Sequence, residues 1–235
     1  MKAVVLAAGR GTRLGALTDD RPKPALEVAG RPLVARIADH LVRCGCDALA
    51  VNLHYRGDQV RAALRDAAVP IAWYEEDELL GTAGALAPMR GFLAGEEAFL
   101  VHYGDVLTDH DLGGLLERHR RRGALLTLLV HERAASNSVV VVDEAWRVTR
   151  FLERPSADER RGVGSRWVNS GVYACSAAVL DLLPQPPADI ARELVPHVLG
   201  EGAVHAEPLA GFRVAVDSPA RLAEAERALA RAERG

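Results

Sequence analysis

The stretch from Ala3 to Pro24, AVVLAAGRGTRLGALTDDRPKP, opens on an apolar run, passes through a glycine-rich loop and ends on a lysine held between two prolines. A second short apolar run, Ala48 to Leu53, follows a segment from Leu33 to Arg43 whose apolar residues recur at helical spacing. Together they read as a β-α-β unit, with the first strand at Ala3 to Ala8 and the loop directly after it. Working outward, strands are expected at Ile71 to Tyr74 and Phe99 to His102, and helices at Asp58 to Ala67, Ala83 to Leu93 and Leu112 to Arg122. This alternation implies an α/β fold: a Rossmann-like mixed, mainly parallel sheet with helices on both faces. Beyond Gly123 the chain becomes β-richer, with strands expected at Leu125 to Val130, Ser138 to Val142, Val148 to Leu152 and Trp167 to Tyr173. Helices at Ala188 to Leu199 and Pro219 to Ala232 close it.

A length of 235 residues suits one large α/β domain, and 49% hydrophobic content is ample for its core. The net charge of −3 supplies no general attraction to nucleic acid or to an anionic membrane, so any phosphate site must be built locally. MKAVVLAAG is unlike a signal peptide, and no apolar stretch is long enough to span a bilayer. A cytoplasmic protein with neither nucleic-acid nor membrane partners is expected. Cys44, Cys46 and Cys175 are too few and too poorly spaced for a zinc site or a disulfide framework and read as core thiols.

The loop carries the chemistry. Gly9, Gly11 and Thr12 follow the first strand, where backbone N–H groups at the carboxyl edge of a parallel sheet can point at a phosphate. The dinucleotide fingerprint GxGxxG fails, because its third position is Leu14 and Gly15 comes one residue late. A Walker loop fails too, for want of GK followed by Ser or Thr. In their place stand Arg13 and Lys23, the latter on a backbone stiffened by Pro22 and Pro24. Farther along, Gly81, Thr82 and Gly84 in LGTAGAL open a helix, where small residues and free N–H groups would let a flat ring lie against the backbone; a plain threonine N-cap is the alternative. Asp105 in HYGDVL ends a strand at the sheet's carboxyl edge, as a Mg²⁺ ligand or as a turn former.

The pattern GxGTRLxxLTxxxPKP after a first strand resembles the signature of the sugar-1-phosphate nucleotidylyltransferases, with every fixed position present. The resemblance extends from Met1 to about Arg227 and implies a single domain over 1–235, with a nucleotide-binding half to about 123 and a sugar-phosphate-binding half from 124. It implies nucleotide contacts from Leu6, Ala8, Gly9, Gly11, Thr12 and Arg13, and from Gly81, Thr82 and Gly84 around the base. Arg13, Lys23 and Asp105 become catalytic, Asp105 as a ligand of Mg²⁺. FLERP resembles the family's FxEKP, in which the glutamate binds the sugar and the lysine its phosphate, so Glu153 and Arg154 take those places. Arg154 departs from the usual lysine and offers a planar fork in place of a point charge. VNSGVY is similar to the NAGxY-type strand and assigns Asn169 and Gly171 to the sugar. In GFRVAVDSPARL the usual metal aspartate falls on Ala215, and Asp217 takes the second carboxylate by similarity to the DTP ending of sugar-acid cytidylyltransferases; a carboxylate at a helix N-terminus is the alternative.

The expected partners are an NTP and a sugar 1-phosphate, and the expected cofactor is Mg²⁺. The acceptor phosphate has a second pKa near 6, so its oxygen attacks without a general base. GTAGAL and similarity to mannose- and heptose-1-phosphate guanylyltransferases favour GTP. Two alternatives remain open: a cytidylyltransferase acting on a phosphonate or choline phosphate, and a non-catalytic regulatory protein that binds nucleotide sugars. Without a repeat-bearing extension, a free-standing enzyme is implied. A homo-oligomer is compatible with the residues.

Overall fold

The computed structural model describes residues 1–9, 11, 14–15, 18, 20–133, 136–201 and 203–232. In chain order it contains β1 (Lys2–Leu6), β2 (Glu27–Val28), β3 (Arg31–Pro32), α1 (Leu33–Arg43), β4 (Ala48–Leu53), α2 (Gly57–Ala63) and β5 (Ile71–Glu75). Next come α3 (Gly81–Gly84), α4 (Arg90–Leu93), β6 (Ala98–Tyr103), β7 (Val106–Thr108), α5 (Leu112–Arg122) and β8 (Leu126–Glu132). The remainder is β9 (Ser138–Val142), β10 (Val148–Glu153), α6 (Ala157–Arg160), β11 (Trp167–Ser176), α7 (Val195–Leu199), β12 (Val204–Pro208), β13 (Arg213–Ala215) and α8 (Pro219–Ala232). Two compact units result: Met1–Leu79 with His102–Gly113 and Ala210–Gly235, and Leu80–Val101 with Gly114–Leu209.

In the first unit β1, β4 and β5 are adjacent and parallel, with Val4 opposite Ala50 and Val51 opposite Trp73. In β1 and β4 the fully buried Val4, Val5, Ala50 and Val51 are apolar on both faces, as parallel strands covered on both sides require. The connection between β1 and β4 is α1, which turns Leu33, Ile37 and Leu41 inward at four-residue spacing. Parallel order puts the ends of all three strands at one carboxyl edge, where the glycine-rich loop starts. The short ladder of β7 with β13, Val106 opposite Ala215, brings Arg213–Ala215 alongside the segment after Asp105.

In the second unit β8 is antiparallel to β11 and parallel to β12, and β9 is antiparallel to β10. Buried Glu207 on β12 takes a bidentate pair from Arg118 at 2.7 and 3.0 Å, and its desolvated charge is thereby compensated. The expected α/β class, mixed and β-richer in its later part, is the architecture found, and among the described residues no helix is long and apolar enough to cross a membrane.

Local departures have identifiable causes. The helix expected over Ala83 to Leu93 is two short pieces, α3 and α4, separated by a stretch containing Pro88, which cannot donate an N–H. The helix expected from Ala188 starts at Ile190 as a π-turn, Ile190–Leu194, before continuing as α7. Pro196 there cannot bond to the carbonyl four residues back, and its ring crowds that carbonyl, which favours the wider register. β1 ends at Leu6 because the Ala7 N–H turns to a side chain, described below.

His102 and His119 are buried, and desolvation pushes each pKa down to about 4. A base with a folded pKa below its unfolded value near 6.5 contributes fully above pH 6.5 and loses that contribution as pH falls toward 4. At pH 5 the cost is about 2 kcal/mol for each imidazole. Urea midpoints are therefore expected to drop between pH 7 and pH 5, and His119→Gln is expected to flatten that dependence; parallel pH curves for the variant and the parent would contradict the assignment.

Candidate active site

The glycine-rich loop begins under tight constraint. The Leu6 carbonyl accepts the Gly104 N–H at 2.9 Å, and a Cβ on Gly104 would lie 2.6 Å from that carbonyl oxygen. The Ala7 N–H donates to Asn52 Oδ1 at 2.7 Å. Ala8 is buried, whereas nothing lies within 4 Å of a Cβ built on Gly9. Gly11, at φ +73°, passes so close over Lys23 that an added Cβ would sit 2.6 Å from the lysine Cβ, so glycine is needed both for the dihedral and for the approach. Leu14 donates its N–H to the Gly11 carbonyl at 3.1 Å, and the Thr18 hydroxyl reaches the same carbonyl at 3.2 Å. Thr12 and Arg13 lie outside the described residues.

Lys23 opens a 3-10 turn, Lys23–Ala25, whose entry and exit are held in extended backbone. Its buried stem delivers Nζ to Asp105 Oδ2 at 2.5 Å, while the Asp105 side chain remains 28% exposed. Asp105 is tied by its backbone as well, its carbonyl accepting the Val216 N–H at 2.8 Å. The chain then folds back, Asp217 N–H onto the Ala215 carbonyl at 3.1 Å, so Asp217 leaves the ladder one residue past the partner of Asp105. Lys23, Asp105 and the backbone of Asp217 are thus gathered in the first unit. Among the described residues no set of three or more His, Cys, Asp or Glu side chains could hold a metal by itself. Mg²⁺ is commonly held by one or two carboxylates plus substrate phosphates, so the oxygen donors Asp105 and Asp217 fit that pattern, and the ammonium already resting on Asp105 marks its carboxylate as a cation-binding group.

In the second unit the GTAG turn is committed to its own fold. Gly81 has φ +76°, and a Cβ on it would come within 2.4 Å of the Ala188 carbonyl oxygen. That carbonyl accepts the N–H groups of Ala83 at 2.8 Å and Gly84 at 3.1 Å. Asp189 Oδ1 accepts both the N–H and the hydroxyl of Thr82 at 3.2 Å, and the Ile190 N–H donates back to that hydroxyl at 2.8 Å. The N–H groups of Thr82, Ala83 and Gly84 are therefore occupied and not free for a base, because the chain at Ala188–Ile190 docks against them.

Glu153 ends β10 opposite Ser138, with its side chain 19% exposed. Burial pushes its carboxyl above the ordinary value; the facing guanidiniums of Arg154 and Arg192 draw it down, and Asp189 adds to the rise. Arg154, at φ +50°, keeps its side chain 66% exposed and its Nε 3.9 Å from Glu153. Arg192, on the π-turn, is a further cation whose charge bears on Glu153, and A-R-E-L carries no local signal of it. Asn169 and Gly171 lie in a bulge where four residues of β11 advance against two of β8, from Asn169–Val130 to Tyr173–Leu128. The Asn169 amide spans it, accepting the Gly171 N–H at 3.0 Å and donating to the Tyr173 hydroxyl at 2.6 Å.

A sequence profile described as "Nucleotidyl transferase" matches residues 2–209. The chain belongs to the nucleotidyl transferase family. Among curated members, mannose-1-phosphate guanyltransferase beta-A of Xenopus laevis is 31% identical over 227 residues, covering 93% of this chain and 62% of that protein. The catalytic subunit beta of mannose-1-phosphate guanylyltransferase from Drosophila melanogaster is 32% identical over 225 residues, covering 93% and 60%. The chain thus spans less than two thirds of the length of these nucleotidyl transferases. In fold it is similar to HddC from Yersinia pseudotuberculosis, with a TM-score of 0.82, 22% identity, and 97% and 99% of the two chains covered. A crystal structure of that protein complexed with GMP-PN gives a TM-score of 0.80 at 21% identity.

Proposed function

We propose that this family member transfers a nucleoside monophosphate from GTP to a sugar 1-phosphate, releasing pyrophosphate. The observation that carries the reading is the 2.5 Å pair of Lys23 Nζ with Asp105 Oδ2, directly beneath the loop crossing at Gly11. The names of the curated relatives, mannose-1-phosphate guanylyltransferases, support GTP as donor and an aldose 1-phosphate as acceptor. An acceptor phosphate oxygen forms a bond to the α-phosphorus, the bond from that phosphorus to the β-phosphate oxygen breaks, and its electron pair leaves on pyrophosphate. No proton needs moving, so a site built of charges suffices.

The two substrates bring roughly six negative charges together, so compensation and alignment are the chain's main tasks. Lys23 exchanges the Asp105 carboxylate for a phosphate oxygen as nucleotide binds. Asp105 and Asp217 would hold Mg²⁺, which when bound neutralises phosphate charge and polarises the phosphorus for attack. Arg13 is assigned to the leaving pyrophosphate. Glu153 orders the sugar hydroxyls, and Arg154 with Arg192 holds the acceptor phosphate, the exposed fork of Arg154 accommodating it bidentately. Asn169 and Gly171 present the bulge to the sugar.

The test is a matrix of four NTPs against a panel of aldose 1-phosphates, choline phosphate and a phosphonate, with Mg²⁺, read by pyrophosphate release. GTP with an aldose 1-phosphate is expected to turn over fastest; preference for CTP with choline phosphate or the phosphonate would overturn the donor and acceptor assignment. Arg154→Ala is expected to raise KM for the sugar 1-phosphate by about tenfold while leaving KM for GTP unchanged. An equal rise in both would show that Arg154 does not belong to the acceptor alone.

A further inference from the structure

We infer that Asn52 and Glu76 act as positioning residues that set the direction in which the chain leaves β1 and enters the nucleotide loop; this rests on the nucleotidyl-transfer reading for its functional consequence. Leu6 lies opposite Asn52, and Asn52 opposite Tyr74, in the parallel ladder. Past Leu6 the chain departs from that ladder, and the buried N–H of Ala7 needs a partner. Asn52 Oδ1 supplies it at 2.7 Å, and Asn52 Nδ2 donates to Glu76 Oε1, also at 2.7 Å.

An asparagine buried in an apolar parallel strand costs free energy unless its amide is satisfied, and here both ends are. Its orientation is forced: the oxygen must face an N–H, and the nitrogen must face a carboxylate. Glu76 is anchored in turn, its N–H on the Leu53 carbonyl at 2.8 Å and its own carbonyl accepting from His54 Nδ1 at 2.8 Å. The relay therefore runs from the end of β5 through β4 to the backbone just before Ala8 and Gly9. Neither side chain has to touch the nucleotide; both act through the loop backbone.

The charge pattern makes the relay testable. Asn52→Asp still accepts the Ala7 N–H but faces Glu76 with a like charge, while the double variant Asn52→Asp/Glu76→Gln restores one donor and one acceptor between the two positions. Two readouts are needed: amide hydrogen exchange of the peptide covering residues 2–9 in the free protein, and KM for GTP and for the sugar 1-phosphate. Asn52→Asp is expected to speed exchange in that peptide and raise KM for GTP, each by about tenfold, and to lower Tm, with KM for the sugar phosphate little changed. The double variant is expected to return within about threefold of the parent on both. Unchanged exchange in Asn52→Asp, or a double variant as impaired as the single, would overturn the relay. If the parent itself used no NTP, the function reading would fail while the exchange data still decided the relay.

Discussion

Asp105→Asn is expected to lower pyrophosphate release by roughly a thousandfold or more while leaving the fold in place. Asparagine keeps the shape of the side chain, and its oxygen can still accept from Lys23 Nζ, now 2.5 Å from the carboxylate. The backbone bond from the Val216 N–H to the Asp105 carbonyl, 2.8 Å long, does not depend on the side chain. What is lost is one full negative charge at the point where a cation and a buried ammonium must be balanced against roughly six phosphate charges. Activity measured with Mg²⁺ and urea melts of both proteins separate the two effects. A variant with near-parental turnover would remove Asp105 from the chemistry, and one that unfolds much earlier would make its role structural.

Gly81→Ala is expected to be among the most destabilising single substitutions in the second unit, by about 3 kcal/mol or more. Glycine stands there at φ +76°, where an L side chain costs about 1–2 kcal/mol by itself. The added Cβ would also lie 2.4 Å from the Ala188 carbonyl oxygen, a backbone atom that cannot swing aside. Relieving that clash means pulling Ala188 away and breaking the bonds from Ala83 and Gly84 to its carbonyl, and that from its own N–H to the Leu80 carbonyl at 2.9 Å. Gly84→Ala is the control, because its Cβ would meet side-chain carbons, Pro186 Cβ at 3.1 Å and Leu80 Cβ at 3.3 Å, where Gly81 meets a backbone oxygen at 2.4 Å. Urea midpoints are expected to fall far more for Gly81→Ala than for Gly84→Ala, and equal losses would show that the docking at Ala188 is not what requires glycine.

Much of the framework was legible because it rests on local periodicity. α1, β4, α5, β9 and α8 lie at the expected bounds, α8 from its content of helix-forming Ala, Glu and Arg. The three-residue strands β7 and β13 were not expected, since so short a run carries almost no period; their pairing is what brings Asp217 near Asp105. Lys23 and Asp105 were both named from motifs, yet nothing local shows that residues 82 apart form one ion pair. The sequence of the GTAG turn suggests free N–H groups because its partner, Ala188–Ile190, is more than a hundred residues away. Asn52 did carry a signal, a lone amide in the apolar run ALAVNL, but its meaning depends on Ala7 and Glu76. Arg192 carries none, because its charge acts on Glu153 only through the fold.

The central claim is that the α-phosphorus of an NTP passes intact to a sugar 1-phosphate. Its most direct test is ³¹P NMR of the purified chain with GTP, Mg²⁺ and a mixture of aldose 1-phosphates. The expected result is the paired resonances of a GDP-sugar growing in step with pyrophosphate, one for one, and regeneration of GTP when those two products are supplied instead. Cleavage of GTP to GDP and inorganic phosphate, or no change in any resonance with any of the four NTPs, would contradict it.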